Sequence, residues 1–316
     1  MARRISIISL VILVVIQTAM ANIPSANEFF KKNINGNLTK ITWKHAVNSK
    51  PLLIEALASA TMMLEADVVL GNLTNSNVTK IPIMAHPPNE TSSLSLDEFL
   101  TFVLKNRTKG IKLDFKSIEA YTAGLQVLEK HTSNLTVPLW LNADILSGPV
   151  NASVNVNTKP VNAKQFLEDA KKTLPQSTLS VGWVTSYKAN STGNYTSAHI
   201  DEMLKTLKDS NVTQTVTYPV RAAFAINSID TLKTLLEKSS NKSATLTIWS
   251  AEEDVVDGKK LSKLINEVGS KKVYVDVPEK VWKTLDLSKG GASYASSSIA
   301  LSIISTLVVI FTTRML

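Results

Sequence analysis

Cysteine is absent from the 316-residue sequence. That excludes disulfide cross-links, thiolate nucleophiles and thiolate zinc sites, and it leaves a secreted chain to be held by its hydrophobic core alone. A Gly-rich turn after the first strand is also lacking. "KHAVNSKPLL" (44–53) stands where an open, doubly wound nucleotide-binding sheet would carry one. No cluster of Lys and Arg is interleaved with aromatics, so nothing points to a nucleic-acid partner. No His-x-x-x-His pair offers the local spacing of a zinc hydrolase. No low-complexity linker or internal repeat divides the chain, which reads as one domain.

Long apolar runs are missing as well, and the two short ones lie at the ends. Arg3 and Arg4 precede the 12-residue run "ISIISLVILVVI", and "TAMA" follows with small residues at Ala19 and Ala21. A spanning helix needs about 17 apolar residues, so residues 1–21 read as a cleaved secretory signal. At the other end the small and polar stretch "SKGGASYASSS" leads into "IALSIISTLVVIF", a 13-residue apolar tail. Small residues, a polar spacer and a short terminal tail form a glycolipid-anchor (GPI) signal, with a single-pass helix as the alternative. The mature domain is then 22–290, and 291–316 is the anchor signal that is removed.

What is abundant agrees with that address. Eleven Asn-x-Ser/Thr sequons occur, at Asn37, Asn72, Asn77, Asn89, Asn106, Asn134, Asn151, Asn190, Asn194, Asn211 and Asn241. Chance would supply about five, so some are incidental and the excess implies a glycosylated, extracellular surface. The formal charge of +8 falls to +5 once Arg3, Arg4 and Arg314 are removed. A modest basic balance suits an anionic substrate or a membrane surface.

Between the two ends, short apolar runs alternate with helical patterns. Strands are expected at 40–45, 62–70, 110–115, 137–143, 178–185, 214–220, 244–250 and 271–277, bounded by Gly, Pro, Asn and Ser. Amphipathic helices are expected at 95–106, 117–131, 162–174, 197–209, 228–239 and 259–269, the first opened by the capping box Ser95-x-x-Glu98. Eight strands separated by helices imply a parallel sheet closed into a (β/α)₈ TIM barrel, of class α/β. An open doubly wound sheet is the alternative.

In such a barrel chemistry belongs where strands end, and polar residues collect there. The first strand ends in His45, followed by Asn48. The second, "MMLEADVVL", holds Glu65 and Asp67, and the run 80–88 brings His86. Asp114 and Lys116 end the third strand, with Lys112 behind them; Asn142 and Asp144 follow on the fourth. Arg221 and Trp249 end the sixth and seventh. Side chains alternate with period two, so Glu65 and Asp67 share a face, as do Lys112, Asp114 and Lys116. Three carboxylates from adjacent strands form an oxygen cage for a hard divalent cation, Mg²⁺ or Ca²⁺. Two imidazoles beside it can serve as acid and base on a phosphodiester, and Lys116 can offset phosphoryl charge. His131 and His199 lie in helical segments and read as structural, and Trp140, Trp183 and Trp282 as packing residues.

This order of residues resembles the PLC-like phosphodiesterase superfamily, which includes glycerophosphodiester phosphodiesterases and sphingomyelinase D enzymes of the spider-venom type. The Asp114-x-Lys116 pair, the twenty-residue step from His45 to Glu65 and Trp249 in "LTIWS" look most like the latter group. The blocks "ITWKHAVNS", "MLEADVVL", "PIMAHPP", "KGIKLDFKS", "PLWLNADILSGP", "TLSVGWVT", "VTYPVRAA" and "LTIW" resemble, in order, those of the menorin (FAM151) family. The resemblance implies a PLC-like TIM barrel with His45 and His86 as the acid/base pair. It also implies Glu65, Asp67 and Asp114 as ligands of a divalent cation, Mg²⁺ before Ca²⁺, with Lys116 on the phosphate.

Lys112, Asn142, Arg221 and Trp249 are expected to line the substrate's side of that face. Two departures stand out: Ala46 replaces the Arg that usually follows the first His of glycerophosphodiesterases, and Asp114 replaces their Glu, so their substrate choice does not carry over. The function expected is a cell-surface, metal-dependent phosphodiesterase. Its substrate would be a phosphodiester or phospholipid, and a lipid anchor would hold it on the outer leaflet of the plasma membrane. The alternative is an extracellular adhesion or signalling ligand that binds its partner with the barrel as scaffold.

Overall fold

The computed structural model describes residues 22–149, 159–188 and 191–288. The leader 1–21 and the tail 291–316 lie outside the described residues, as do the sequons at Asn151 and Asn190. Among the described residues no helix is long and apolar enough to cross a membrane.

Among the described residues ten strands occur: β1 Trp43–Lys44, β2 Met63–Leu73, β3 Ile81–Met84, β4 Thr91–Ser92, β5 Gly110–Phe115, β6 Leu139–Ser147, β7 Thr178–Val184, β8 Val216–Arg221, β9 Thr245–Trp249 and β10 Val273–Asp276. Eight of them run parallel in the order β1-β2-β5-β6-β7-β8-β9-β10, and each matches a strand expected from the sequence. The chain is a nearly closed (β/α)₈ barrel. Its two ends meet through contacts other than a strand ladder. Leu38 N donates to Ser270 O at 2.8 Å, the Trp43 and Tyr274 rings lie 6.4 Å apart, and His45 touches Asp276.

The outer helices follow the amphipathic pattern. Leu96–Asn106 buries Leu96, Phe99, Leu100, Val103 and Leu104, and its capping box is present. The other five expected helices form within one or two residues of their anticipated ends. His131 pairs with Asp97 at 2.8 Å, and His199 closes a capping box with Thr196, so both are structural. One crossover helix was not anticipated, Lys50–Ala58 between β1 and β2. Its apolar residues form no clean stripe, since Ile54 is 65% exposed beside a buried Leu53. What starts it is Ser49, whose side chain accepts from Leu52 N, with Pro51 in the first turn.

The barrel interior is layered. Met63, Trp140 and Tyr274 form an apolar floor, plugged from below by Phe30, Ile34, Leu38 and Ile41 of the N-terminal segment. Above it the same inward positions turn polar: Glu65, Lys112, Asn142, Ser180 and Asp276 are all buried. Between the layers the Lys112 ammonium lies 5.9 Å from the centre of the Trp43 ring. Water is thus excluded from below, and the charged layer opens only toward the strands' C-terminal ends.

β2 is the longest strand because it outruns the barrel. Its upper half pairs antiparallel with β3, Val68 opposite Met84 and Gly71 opposite Ile81, and Asn72 pairs with Thr91 of β4. This excursion returns His86 to the mouth, tied down by Ala85 N donating to Asp67 O at 3.0 Å. The run 80–88 is therefore a strand and turn that serve to deliver a histidine.

Candidate active site

At the barrel mouth a cavity of about 440 Å³ is lined by His45, Asp67, His86, Lys112, Asp114, Lys116, Asn142, Asp144, Arg221 and Trp249, among others. Glu65, one layer down, is 1% exposed. Its carboxylate and those of Asp67 and Asp114 offer oxygens that all lie within 4.8 Å of one another. The strand register explains this: Asp67 of β2 faces Asp114 of β5, and Glu65 lies two residues below on the same side.

Each carboxylate is held by a neighbouring element. Ala46 N donates to Glu65 Oε2 at 2.8 Å, an aim that needs Ala46 in the left-handed region at φ 53°. Asn48 clasps Asp67 twice: its Nδ2 donates to Oδ2 at 2.7 Å, and its Oδ1 accepts from the Asp67 amide at 3.0 Å. Lys116 Nζ bridges Asp67 Oδ1 at 2.7 Å and Asp114 Oδ2 at 2.6 Å. Asn142 donates to Asp114 Oδ1 at 2.7 Å and accepts from Ser180 at 2.6 Å. A chain of hydrogen bonds therefore runs from β1 to β7 and fixes the acids before any ligand arrives.

The donor set fits a hard divalent cation. It is all oxygen, from carboxylates on two adjacent strands, and negative charge exceeds positive around it. Glu65, Asp67, Asp114, Asp144 and Asp276 face Lys112, Lys116 and the His45 imidazolium, while Arg221 is paired with Asp254. Burial raises the Glu65 carboxyl above its usual range, and the neighbouring Asp67 charge adds to that. Burial also pushes Asp67 upward, but Lys116 and the bonds from Lys116 and Asn48 hold it below the ordinary value.

His45 lies half-exposed, with Nδ1 3.4 Å from Glu65 Oε2 and 3.3 Å from Asp276 Oδ2. A nitrogen between two carboxylates carries its proton, and with the ring raised to about 10 the imidazolium holds a second proton on Nε2, which makes His45 a proton donor. His86 is fixed differently. Its Nδ1 donates to the Pro87 carbonyl at 2.7 Å, and a carbonyl only accepts, so Nε2 holds the lone pair.

A family model described as the Menorin N-terminal domain matches residues 37–282. The chain belongs to the menorin family. Protein FAM151B of Homo sapiens is 39% identical over 241 residues, which cover 76% of this chain and 83% of that relative. The match spans every residue of the site just described, from His45 to Asp276.

The other expected residues of this menorin barrel, Lys112, Asn142, Arg221 and Trp249, all line the cavity and also have protein partners. Lys112 is 4% exposed with its ammonium 4.0 Å from Asp276, so it counters a buried acid at the cavity floor. Asn142 gives its amide to Asp114. Arg221 is held by protein partners: Nε and Nη2 donate to Asp254 at 2.8 and 2.6 Å, and the guanidinium stacks 5.2 Å from Tyr187 and 5.0 Å from Trp249. It fixes Trp249 in the cavity wall. Two contributors were not singled out from sequence, Asp276 and Asp254. Asp276 had a signal, since it follows Tyr274 with inward parity at the end of the eighth strand; Asp254, in a loop, had none.

The charge around His45 sets a pH dependence. Glu65 raises it, burial opposes that, and Asp276 raises it again, from 6.5 to about 10. A folded-state value above the unfolded one contributes stability that is complete below pH 6.5 and lost as pH rises through about 10. Urea midpoints in a chelator between those limits are expected to fall more steeply for the wild type than for His45→Ala; parallel curves would contradict this.

Proposed function

We propose that this menorin-family protein is a metal-dependent phosphodiesterase of the cell surface. The observation that carries the proposal is the convergence, in one cavity, of a three-carboxylate cage, two histidines and Lys116. Glu65, Asp67 and Asp114 would hold Mg²⁺, with Ca²⁺ as the alternative. When bound, such a cation supplies Lewis-acid stabilisation of phosphoryl oxygens.

The chain's own residues divide the remaining work. One imidazole Nε2 takes the proton of the attacking hydroxyl, and the other gives a proton to the departing alcohol oxygen. Asp276 keeps the His45 ring oriented and protonated, and the Pro87 carbonyl keeps His86 in the tautomer whose Nε2 can accept. Lys116, at the cage's open edge, meets phosphoryl charge as it builds. Asn48 and Asn142 hold Asp67 and Asp114 so that the cage needs no rearrangement.

An extracellular address is supported by the sequons that reach solvent. Asn77, Asn89, Asn106, Asn134, Asn194 and Asn211 are exposed, whereas Asn37 is buried, its Oδ1 accepting from Thr39. A glycolipid anchor at the C-terminus would place the cavity beside phospholipid head groups of the outer leaflet. Incubation with a panel of lipid and soluble phosphodiesters tests the function. Turnover with Mg²⁺, its loss in a chelator and its return on adding the ion are expected; no turnover of any diester under any ion condition would refute the proposal.

A further inference from the structure

The proposed phosphate site leaves one acid in the cavity without a task. Asp144 follows Asn142 by two residues on β6 and so faces the same interior. A Cβ at Gly182 of β7 would come within 2.8 Å of Asp144 Oδ1 and 2.7 Å of the Pro219 ring. Glycine at that position leaves the space that the Asp144 carboxylate occupies.

Among the described residues this carboxylate has no hydrogen bond and no close ion pair; only burial and distant charges act on it. The cations that surround it are engaged elsewhere: Lys116 with Asp67 and Asp114, Lys112 toward Asp276, and Arg221 with Asp254. Burial, with Asp114 nearby, pushes its carboxyl up to about 7. Asp144 is half-buried in the cavity wall, so a ligand that brings a donor meets an acceptor that no described protein group occupies. Asp144 does not cap the following helix either, since Asn162 does that.

The cavity also extends past Asp144 to Thr185, Pro219, Trp249 and Ala251, more space than a phosphate needs. Trp249 and Tyr187 each stack on Arg221, so these rings are already committed to a protein cation. They do not make an aromatic cage for a quaternary ammonium group.

We propose that Asp144 determines specificity by accepting a hydrogen bond from the substrate's alcohol portion, from either a hydroxyl or a primary ammonium group. The site then favours phosphodiesters of alcohols that carry such a donor over choline-type or plain alkyl ones. This rests on the phosphodiesterase reading above, and its test uses phosphomonoesters, whose binding does not depend on turnover.

Calorimetric titration of the mature protein in Mg²⁺ compares phosphoethanolamine and glycerol 3-phosphate with phosphocholine and propyl phosphate. At least one donor-bearing ligand is expected to bind about tenfold more tightly than the two without donors. Asp144→Ala is expected to erase the preference. Asp144→Asn is expected to erase it for the ammonium ligand and keep it for the hydroxyl ligand, which tells the two sources apart. Equal binding of all four by the wild type, or a preference that survives Asp144→Ala, would overturn the inference. The isosteric Asn variant and the wild-type ranking decide the matter where the Ala variant does not fold. Selective binding without turnover of any diester removes the catalytic reading and leaves this one standing. Turnover of diesters without selectivity, or without binding of any of the four, removes this one alone.

Discussion

Alanine at His45 or at His86 is expected to lower kcat for phosphodiester cleavage by about 10²–10⁴-fold, the span of a positioned acid or base. KM should change little, because neither imidazole is the main counter-charge of the phosphate; Lys116 and the cage are. The two substitutions should not add, since a proton taken without one delivered stalls the same step. Asp276 acts through His45, which it meets at Nδ1 at 3.3 Å. Asp276→Asn keeps an acceptor there and should retain most activity, whereas Asp276→Ala frees the ring to turn and should lose more. Steady-state kinetics of the four variants read this directly. Turnover in His45→Ala and His86→Ala within threefold of wild type would mean that the histidines are structural.

Asp254→Ala is expected to cost about 3–5 kcal/mol of stability, the usual penalty for removing one partner of a buried ion pair. Asp254 is 4% exposed and accepts two bonds from Arg221. The stranded guanidinium would also lose its hold on Tyr187 and Trp249, so the cavity wall should loosen with it. A double variant, Arg221→Met with Asp254→Leu, removes the charge rather than stranding it and should recover much of the loss. Urea denaturation measures both effects. A midpoint for Asp254→Ala indistinguishable from wild type would show that the pair is open to solvent.

Most of the barrel could be read in the sequence because parallel strands buried on both faces appear as near-continuous apolar runs. That background also made Glu65 and Asp67 conspicuous, two charges in a run otherwise fit for the core. Period-two alternation then placed Asp114 and Lys116 on the matching face, and the register of β2 with β5 has them side by side. What alternation could not show was the turn at Ala46. The first strand looks six residues long, yet only Trp43 and Lys44 pair with β2, because the chain bends at once to aim an amide at Glu65. Nor could it show that Lys112, Asn142 and Arg221 spend their polar groups on Asp276, Asp114 and Asp254. Those partners depend on how the barrel closes and on a loop, which local patterns do not encode.

The cage is the centre of the proposed chemistry, and the anomalous scattering of a crystal grown with Mn²⁺ in place of Mg²⁺ tests it most directly. One strong peak is expected, within about 2.0–2.6 Å of oxygens from Glu65, Asp67 and Asp114. A peak bound instead by the nitrogens of His45 or His86, or no peak at the three carboxylates, would contradict it.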